Sequence, residues 1–454
     1  MKPSRRLAQA QPIARAMARV RGARWALWLA VFLPLTLLYL LTVRINPSDM
    51  SADPAAVTPS AWQIAHFQTP RLLASVDPFS YHNDWLIPSG PGHIVSNREP
   101  GLVLVAAPFY WLIPGAGVGD VIPASIAAAL ITAAAMATLA LVVRRLVSAK
   151  VAAVTGLVAG TATTTWGVSG TSMWPHGPDQ LYLAVSMEGL AAGMAGVAGL
   201  AFAAAILTRP HLAIVAAVSG IWQSKASRSF GPAIKIAAIS GAAIYGLLRY
   251  SHTFWQGGLD SQYESGGSGG FIRPFFDLGV AAIGRFAANI VGTLISPGRG
   301  ILWGAPFLIV LLPGMREAWR RGPPWARAAA IGGVLYLIVQ LKANRFSGGD
   351  RFWSYRYPLE SLTLMAPLLV LAWSDWASRT ARRRAAFLAL VWLAICFQAI
   401  GAICFRGPYA GKPWLPLDLV AAMNGDRSTV SYVLLFAGFF GAGFVYRRVS
   451  TTQE

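Results

Sequence analysis

Long apolar runs alternate with short clusters of arginine and lysine, and this alternation decides most of what the chain can become. Trp25 to Val43, Pro123 to Val143 and Ala386 to Phe405 carry no charged side chain. Stretches of about 20 apolar residues match the thickness of a bilayer's hydrocarbon core and exceed what a soluble core element needs. Charged residues make up only 12% of the 454, while hydrophobic types make up 55%. A soluble chain carries about a quarter charged residues to wet its surface. The formal net charge of +20 therefore does not point to nucleic acid, which is bound by basic stripes on charged, soluble folds. Basic clusters between apolar runs set topology in a membrane, the basic side staying cytoplasmic. The first apolar run is too long for a signal-peptide core and lacks a small-residue cleavage site, so it reads as an uncleaved first span. Cys396 and Cys404 share one apolar segment and read as buried thiols, with neither disulfide nor zinc spacing.

Threading the chain by the basic clusters predicts an all-α polytopic membrane protein with about 12 transmembrane helices. Residues 1–24 form a basic cytoplasmic tail, 25–449 the membrane domain, and 450–454 a second cytoplasmic tail. Residues 44–122, 250–300, 342–358 and 406–429 are external loops. Gly101 to Ile113 is short, holds Pro108, and would strand Arg144 and Arg145 outside if it crossed, so it reads as an external amphipathic helix. The apolar stretch Leu181 to Gln223 divides near Glu188 to Met194 and again near Arg209-Pro210. Trp174 to Gln180 reads as an external loop, Ile301 to Leu312 as one span, and Leu278 to Ile295 as a shallow outer helix. On this threading all six histidines fall outside. So do most carboxylates, among them Asp53, Asp84, Glu99, Asp179 and Asp418, whereas Glu188, Glu317, Asp375 and Glu454 are inside. Groups able to exchange protons near neutral pH thus gather on the outer face.

Three outer segments carry more specific information. The first begins Ser51-Ala-Asp53-Pro54 after span one and continues through Ser96-Asn-Arg98-Glu-Pro100-Gly101 into an apolar helix. The second is Ser296-Pro-Gly-Arg299-Gly300, running to Trp303 and Pro306. The third is Ser347-Gly-Gly-Asp350-Arg351-Phe-Trp353-Ser-Tyr-Arg356-Tyr357-Pro358. In this order and on one side, they resemble the GT-C membrane glycosyltransferases, such as protein O-mannosyltransferases and the lipid A aminoarabinose transferase. The resemblance covers most of the chain. It departs where many members place a second acidic residue after the first-loop aspartate, since Pro54 stands there. It implies an inverting transfer of a sugar from a polyprenyl-phosphate donor to an external glycan, lipid or protein acceptor. The enzyme would sit in the plasma (inner) membrane among lipids, with both termini cytoplasmic and its active face external.

Such a transfer needs a carboxylate to deprotonate the acceptor and cations to neutralise the departing phosphate. Asp53 suits the base, and Asp53-Pro54 equally suits a helix start with the aspartate as N-cap. Asp84, in His82-Asn-Asp84-Trp85, is the second carboxylate, or the anchor of an Asx turn. Arg299, between glycines at a span mouth, suits a bidentate phosphate grip, or snorkelling to lipid headgroups. Arg351 and Arg356, among aromatic residues, suit an anionic lipid or sugar, or an interfacial aromatic belt. Arg98 reads as a substrate contact or the partner of an external carboxylate. His176 and Asp179 are substrate-side candidates, and the resemblance allows a divalent cation shared by Asp53 and Asp179, although one histidine and two separated carboxylates are a thin ligand set. Arg209 lies at the membrane edge, where a charge needs a partner or a cavity. The alternatives are a lipid or lipid-linked-sugar flippase, which should bury ionisable groups mid-membrane, and a non-catalytic scaffold of the same fold.

Overall fold

The computed structural model describes residues 5–76, 85–259, 276–349, 351–405 and 414–451; Asp84 lies outside them. Helix α1 (Arg5–Leu40) enters the membrane and is followed by α2 (Ala52–Phe67). A three-stranded antiparallel sheet comes next, β1 (Leu72–Leu73), β2 (Leu86–Pro88) and β3 (His93–Ser96), in the order β1-β3-β2. Leu72 pairs with Ile94 and Leu86 with Ser96. No periodicity in this polar loop announces the sheet, because strands of two to four residues are too short to show alternation. Helices α3 (Pro100–Leu112), α4 (Ile122–Val143) and α5 (Ala149–Thr161) follow, then α6 (His176–Ala191), α7 (Ala195–Thr208), α8 (Ala213–Ser227) and α9 (Gly231–Phe254). The second half holds α10 (Val280–Ile295), α11 (Met315–Arg321), α12 (Pro324–Ala343), α13 (Leu359–Ala372), α14 (Ala381–Ala399), α15 (Leu417–Asn424) and α16 (Ser428–Thr451).

Six described helices are long and apolar enough to cross a bilayer: Gly22–Leu40 of α1, α4, α9, α12, α14 with its extension to Cys404, and α16. The chain is a multi-pass helical membrane protein. Helix α4 is its central post. It packs against α1, α5 and α6, and its alanines at 127, 128, 129, 133, 135, 137 and 140 are buried. Small side chains let helix axes approach closely, which is how helices associate where lipid is as apolar as leucine. The long apolar stretch divides where expected, at 192–194 between α6 and α7 and at Arg209-Pro210 between α7 and α8.

Two expectations are corrected. Ile301 to Leu312 is not one helix: a turn at Ile301–Gly304 is broken from a second at Leu308–Leu311, which continues through a 3-10 turn at Leu312–Gly314 into α11. Pro306 lacks an N–H and forces Ala305 out of helical geometry (φ −146°, ψ 61°). Trp174 to Gln180 is not wholly a loop, since α6 begins at His176. Pro178 falls in the first turn, where its missing donor costs no hydrogen bond, and Asp179 in that turn suits the helix dipole. The consequence is that His176 and Asp179 sit on a helix end inside the protein. Helix α10 is inverted relative to a soluble amphipathic helix. Val280, Ile283, Val291 and Ile295 face out while Asn289, Gly292 and Thr293 are buried, as suits a surface facing lipid.

Candidate functional site

Asp53 is the second residue of α2, whose N-cap is Ser51. It is therefore not the cap, and its carboxylate turns to two arginines. Arg356 donates from Nη1 to Asp53 Oδ2 at 2.7 Å, and Arg98 Nη1 lies 3.5 Å from Oδ1. Burial alone would lift the Asp53 carboxyl, but the Arg98 and Arg356 guanidiniums outweigh it and hold the group below its ordinary value. Asp53 is thus ionised at neutral pH. Both arginines are braced by aromatic faces. The Arg98 guanidinium lies 4.4 Å from the Trp85 ring centre, and that of Arg356 sits among Trp174, Tyr357 and Phe352 at 4.5, 4.9 and 5.1 Å. Such contacts hold a planar cation with little loss of its charge.

Local sequence explains the positioning. The Ser60 hydroxyl donates to the Pro70 carbonyl and accepts from the Ser96 amide, both at 2.9 Å, which ties α2 to β3. Arg98 leaves the end of β3, its Nε donating to Asn97 Oδ1 at 2.8 Å. Gly101 then lets the start of α3 press onto α7, since a Cβ there would meet the Leu207 carbonyl carbon at 2.6 Å. On the other wall Gly348 adopts φ +68°, and its Cβ would stand 2.9 Å from Arg356 Nε. The glycines of Ser347-Gly-Gly thus make room for the guanidinium.

Behind this pair is a second group around Arg209, in which Asp179, His176, Tyr336 and Glu360 are sealed from solvent. Arg209 sits in the extended break between α7 and α8. Its Nη1 donates to the Tyr336 hydroxyl at 2.7 Å, Nε lies 3.5 Å from Asp179 Oδ2, and Nη1 lies 3.5 Å from Glu360 Oε1. Asp179 also accepts from the Thr208 hydroxyl, and Glu360 Oε1 meets His176 Nδ1 at 2.7 Å. Glu360 was missed from sequence. It opens α13 just after Arg356-Tyr-Pro, and a carboxylate at the mouth of an apolar span is the signal that marks it. Ionisable groups are therefore buried within the bundle and not confined to its rims.

The two groups open on one cavity of about 440 Å3, lined by Asp53, Trp85, Arg98, Glu99, Arg209, His211, Arg345 and Arg356 with the 347–349 backbone. Four arginines face two carboxylates there, so the cavity is cationic. Arg345 is a lining residue that the motifs did not single out. His176 and Asp179 stand behind the wall and reach the cavity through Arg209.

Arg299 and Arg351 do not line it. Arg299 is buried, donates to the Phe352 and Ser354 carbonyls, and lies 3.0 Å from Asp418. Arg351 donates to the Ser48 carbonyl at 2.6 Å. These two hold the loop that carries Arg356, one from beneath and one against the segment leading to Asp53. Neither the phosphate grip expected of Arg299 nor the anionic lipid or sugar contact expected of Arg351 is placed at this cavity. The donor set does not fit a divalent cation shared by Asp53 and Asp179, because arginines already occupy both carboxylates. Among the described residues no three His, Cys, Asp or Glu side chains are grouped so as to hold a metal ion.

Fold and site define a multi-pass helical membrane protein with a cationic cavity in which four arginines face Asp53 and Glu99. No protein-family model matches the sequence, and no curated protein matches it significantly. Among solved structures the chain is similar to ArnT from Cupriavidus metallidurans in the apo state, at 16% identity and a TM-score of 0.46, over 95% of this chain and 78% of that one. It is also similar to the oligosaccharyltransferase AglB from Archaeoglobus fulgidus in complex with an inhibitory peptide and a dolichol-phosphate. There the identity is 11% and the TM-score 0.42, over 93% of this chain and 56% of that one, so the chain spans little more than half of that protein.

Proposed function

We propose that this protein is a glycosyltransferase that moves a sugar, with inversion, from a polyprenyl-phosphate donor to an acceptor hydroxyl on the outer face of the plasma membrane. Both termini are cytoplasmic in this reading. The observation that carries it is the cavity, in which the Asp53 carboxylate is set between two arginines from separate segments, with two more arginines on the same lining. The donor phosphate binds Arg98, Arg356, Arg209 and Arg345, whose charge grows in value as the phosphate departs. The acceptor oxygen bonds to the anomeric carbon from the opposite face. The carbon–oxygen bond to phosphate breaks with its electron pair, and the acceptor proton passes to Asp53. A donor phosphate competes with Asp53 for the same guanidiniums, so donor binding itself would free the base. Asp179 and Glu360 orient Arg209, while Arg299 and Arg351 position the loop. Pro54, in the first turn of α2, takes no part beyond fixing that turn.

The test is transfer from a radiolabelled polyprenyl-phosphate sugar in proteoliposomes. Asp53→Asn should lower it by about 10²- to 10⁴-fold, the span of general acid–base catalysis. Unchanged transfer removes Asp53 from the role of base. The buried Asp179–Arg209–Glu360 group also favours a specific second reading, a flippase for lipid-linked sugars. Leaflet exchange of the labelled lipid without a transfer product would select it.

A further inference from the structure

A second, apolar groove lies between α5, α6, α13, the start of α14 and the turns at 307–311. Its volume is about 490 Å3, within the range of roughly 300–1,000 Å3 typical of ligand pockets. Val154, Val158, Leu311, Leu362, Leu369 and Phe387 supply much of its wall. The threonines that line it offer an entrant little. Thr155 donates to the Val151 carbonyl, Thr163 to that of Ala159 and Thr363 to that of Leu359, and Thr165 accepts from Gln180. A cavity so lined takes hydrocarbon.

Its two ends differ. One stops at Gln180 and Thr363, a single helical turn from His176 and Glu360. The other is edged by Lys150 and Arg384, in the first turns of α5 and α14. The carboxylates of that rim are engaged elsewhere, Glu188 by Arg24 and Arg145, and Asp375 by Arg321 and Arg379. Among the described residues neither Lys150 nor Arg384 forms an ion pair. From Lys150 to Ala159 the helical rise is about 14 Å, close to half of the roughly 30 Å hydrocarbon core. An apolar slot one leaflet deep, with two cations at its mouth, has the shape and charge of one lipid.

We propose that this groove holds an acyl chain of an anionic glycerophospholipid, with its phosphate bound between Lys150 and Arg384. The site is separate from the cationic cavity and does not depend on the transferase reading. A lipid seated here would brace α13 and α6 against each other at the turn that carries Glu360 and His176.

The experiment is native mass spectrometry of the full chain released from nanodiscs of equal phosphatidylglycerol and phosphatidylcholine. Two cations at the headgroup correspond to a preference of roughly thirtyfold for the anionic lipid. One retained phosphatidylglycerol is therefore expected. The double variant Lys150→Gln/Arg384→Gln should bring the two lipids to near-equal retention. Val154→Trp, at a half-exposed position, should expel both while leaving the melting temperature of the lipid-free protein unchanged. Equal retention of both lipids by the wild type overturns the proposal, as does an anionic preference that survives the double variant. So does a co-purifying polyprenyl phosphate that Val154→Trp displaces, since the groove would then house an isoprenoid tail.

Discussion

Asp53 and Arg356 are separated by 303 residues in sequence and by 2.7 Å in space, so a double-mutant cycle on them tests the centre of the site. Their side chains are 10% and 9% exposed, which places the pair among buried ion pairs, where truncating one partner costs about 3–5 kcal/mol. Arg98, at 3.5 Å and 14% exposed, remains to hold Asp53. Arg356→Gln should therefore cost about 3 kcal/mol, the lower end of that range. Asp53→Asn leaves two arginines facing a neutral amide and should cost a similar amount, again ~3 kcal/mol. If the two act on each other, the double variant loses less than the sum by about 2 kcal/mol, the value of one charge-assisted hydrogen bond. Thermal unfolding of the four detergent-solubilised proteins reads this as apparent melting temperatures. Losses that add to within about 0.5 kcal/mol would refute the coupling.

The same proteins give a pH check. The native Asp53 carboxyl is held below its ordinary value of 3.8 by its arginines against the pull of burial. A depressed native value means that the unfolded chain binds the proton first. The stabilisation is complete above the ordinary value and is lost as pH falls through the native one. The gap in melting temperature between wild type and Asp53→Asn should hold from neutral pH down to about 4 and close below it. A gap that does not vary with pH would mean that the substitution acts through packing and not through charge.

Two further predictions concern residues around the cavity. Gly348→Ala adds a Cβ at φ +68° and 2.9 Å from Arg356 Nε; left-handed backbone alone costs about 1–2 kcal/mol, and displacement of the guanidinium should lower sugar transfer at least tenfold in the proteoliposome assay. Burial lifts the Asp418 carboxyl to about 6 from 3.8 although Arg299 opposes it, so the native state binds the proton more tightly than the unfolded chain. Stability should then fall as pH rises from about 4 to 6, by ~3 kcal/mol for a shift of about two units, and Asp418→Asn should flatten that slope in melting curves.

How far the site could be read from sequence follows from the kind of signal each residue leaves. Helices α4, α9 and α16 are long uncharged or nearly uncharged runs, and their existence needs only bilayer thickness and residue count. The close approaches left a signal too. Gly101 and Gly348 stand in Arg-x-Pro-Gly and Ser-Gly-Gly because no side chain fits where they lie. Arg98 and Arg356 stand in these two segments, whereas Asp53 is marked by its place just after the first span. Arg299 misled because the same pattern, an arginine between glycines at a span mouth, serves equally to clamp the Phe352 and Ser354 carbonyls from inside the protein. A guanidinium held through one nitrogen by backbone carbonyls leaves no mark in sequence that separates it from one that grips a phosphate. Glu360 leaves a weaker signal, a carboxylate at a span mouth with nothing in the sequence to name its partners. It has no motif glycine of its own and sits one residue into an apolar helix, so its partners His176 and Arg209, 184 and 151 residues away, are joined to it only by how α6, α7 and α13 pack. A buried carboxylate is tolerable only where such partners exist, which makes the helix packing, and not the local sequence, the cause of its position.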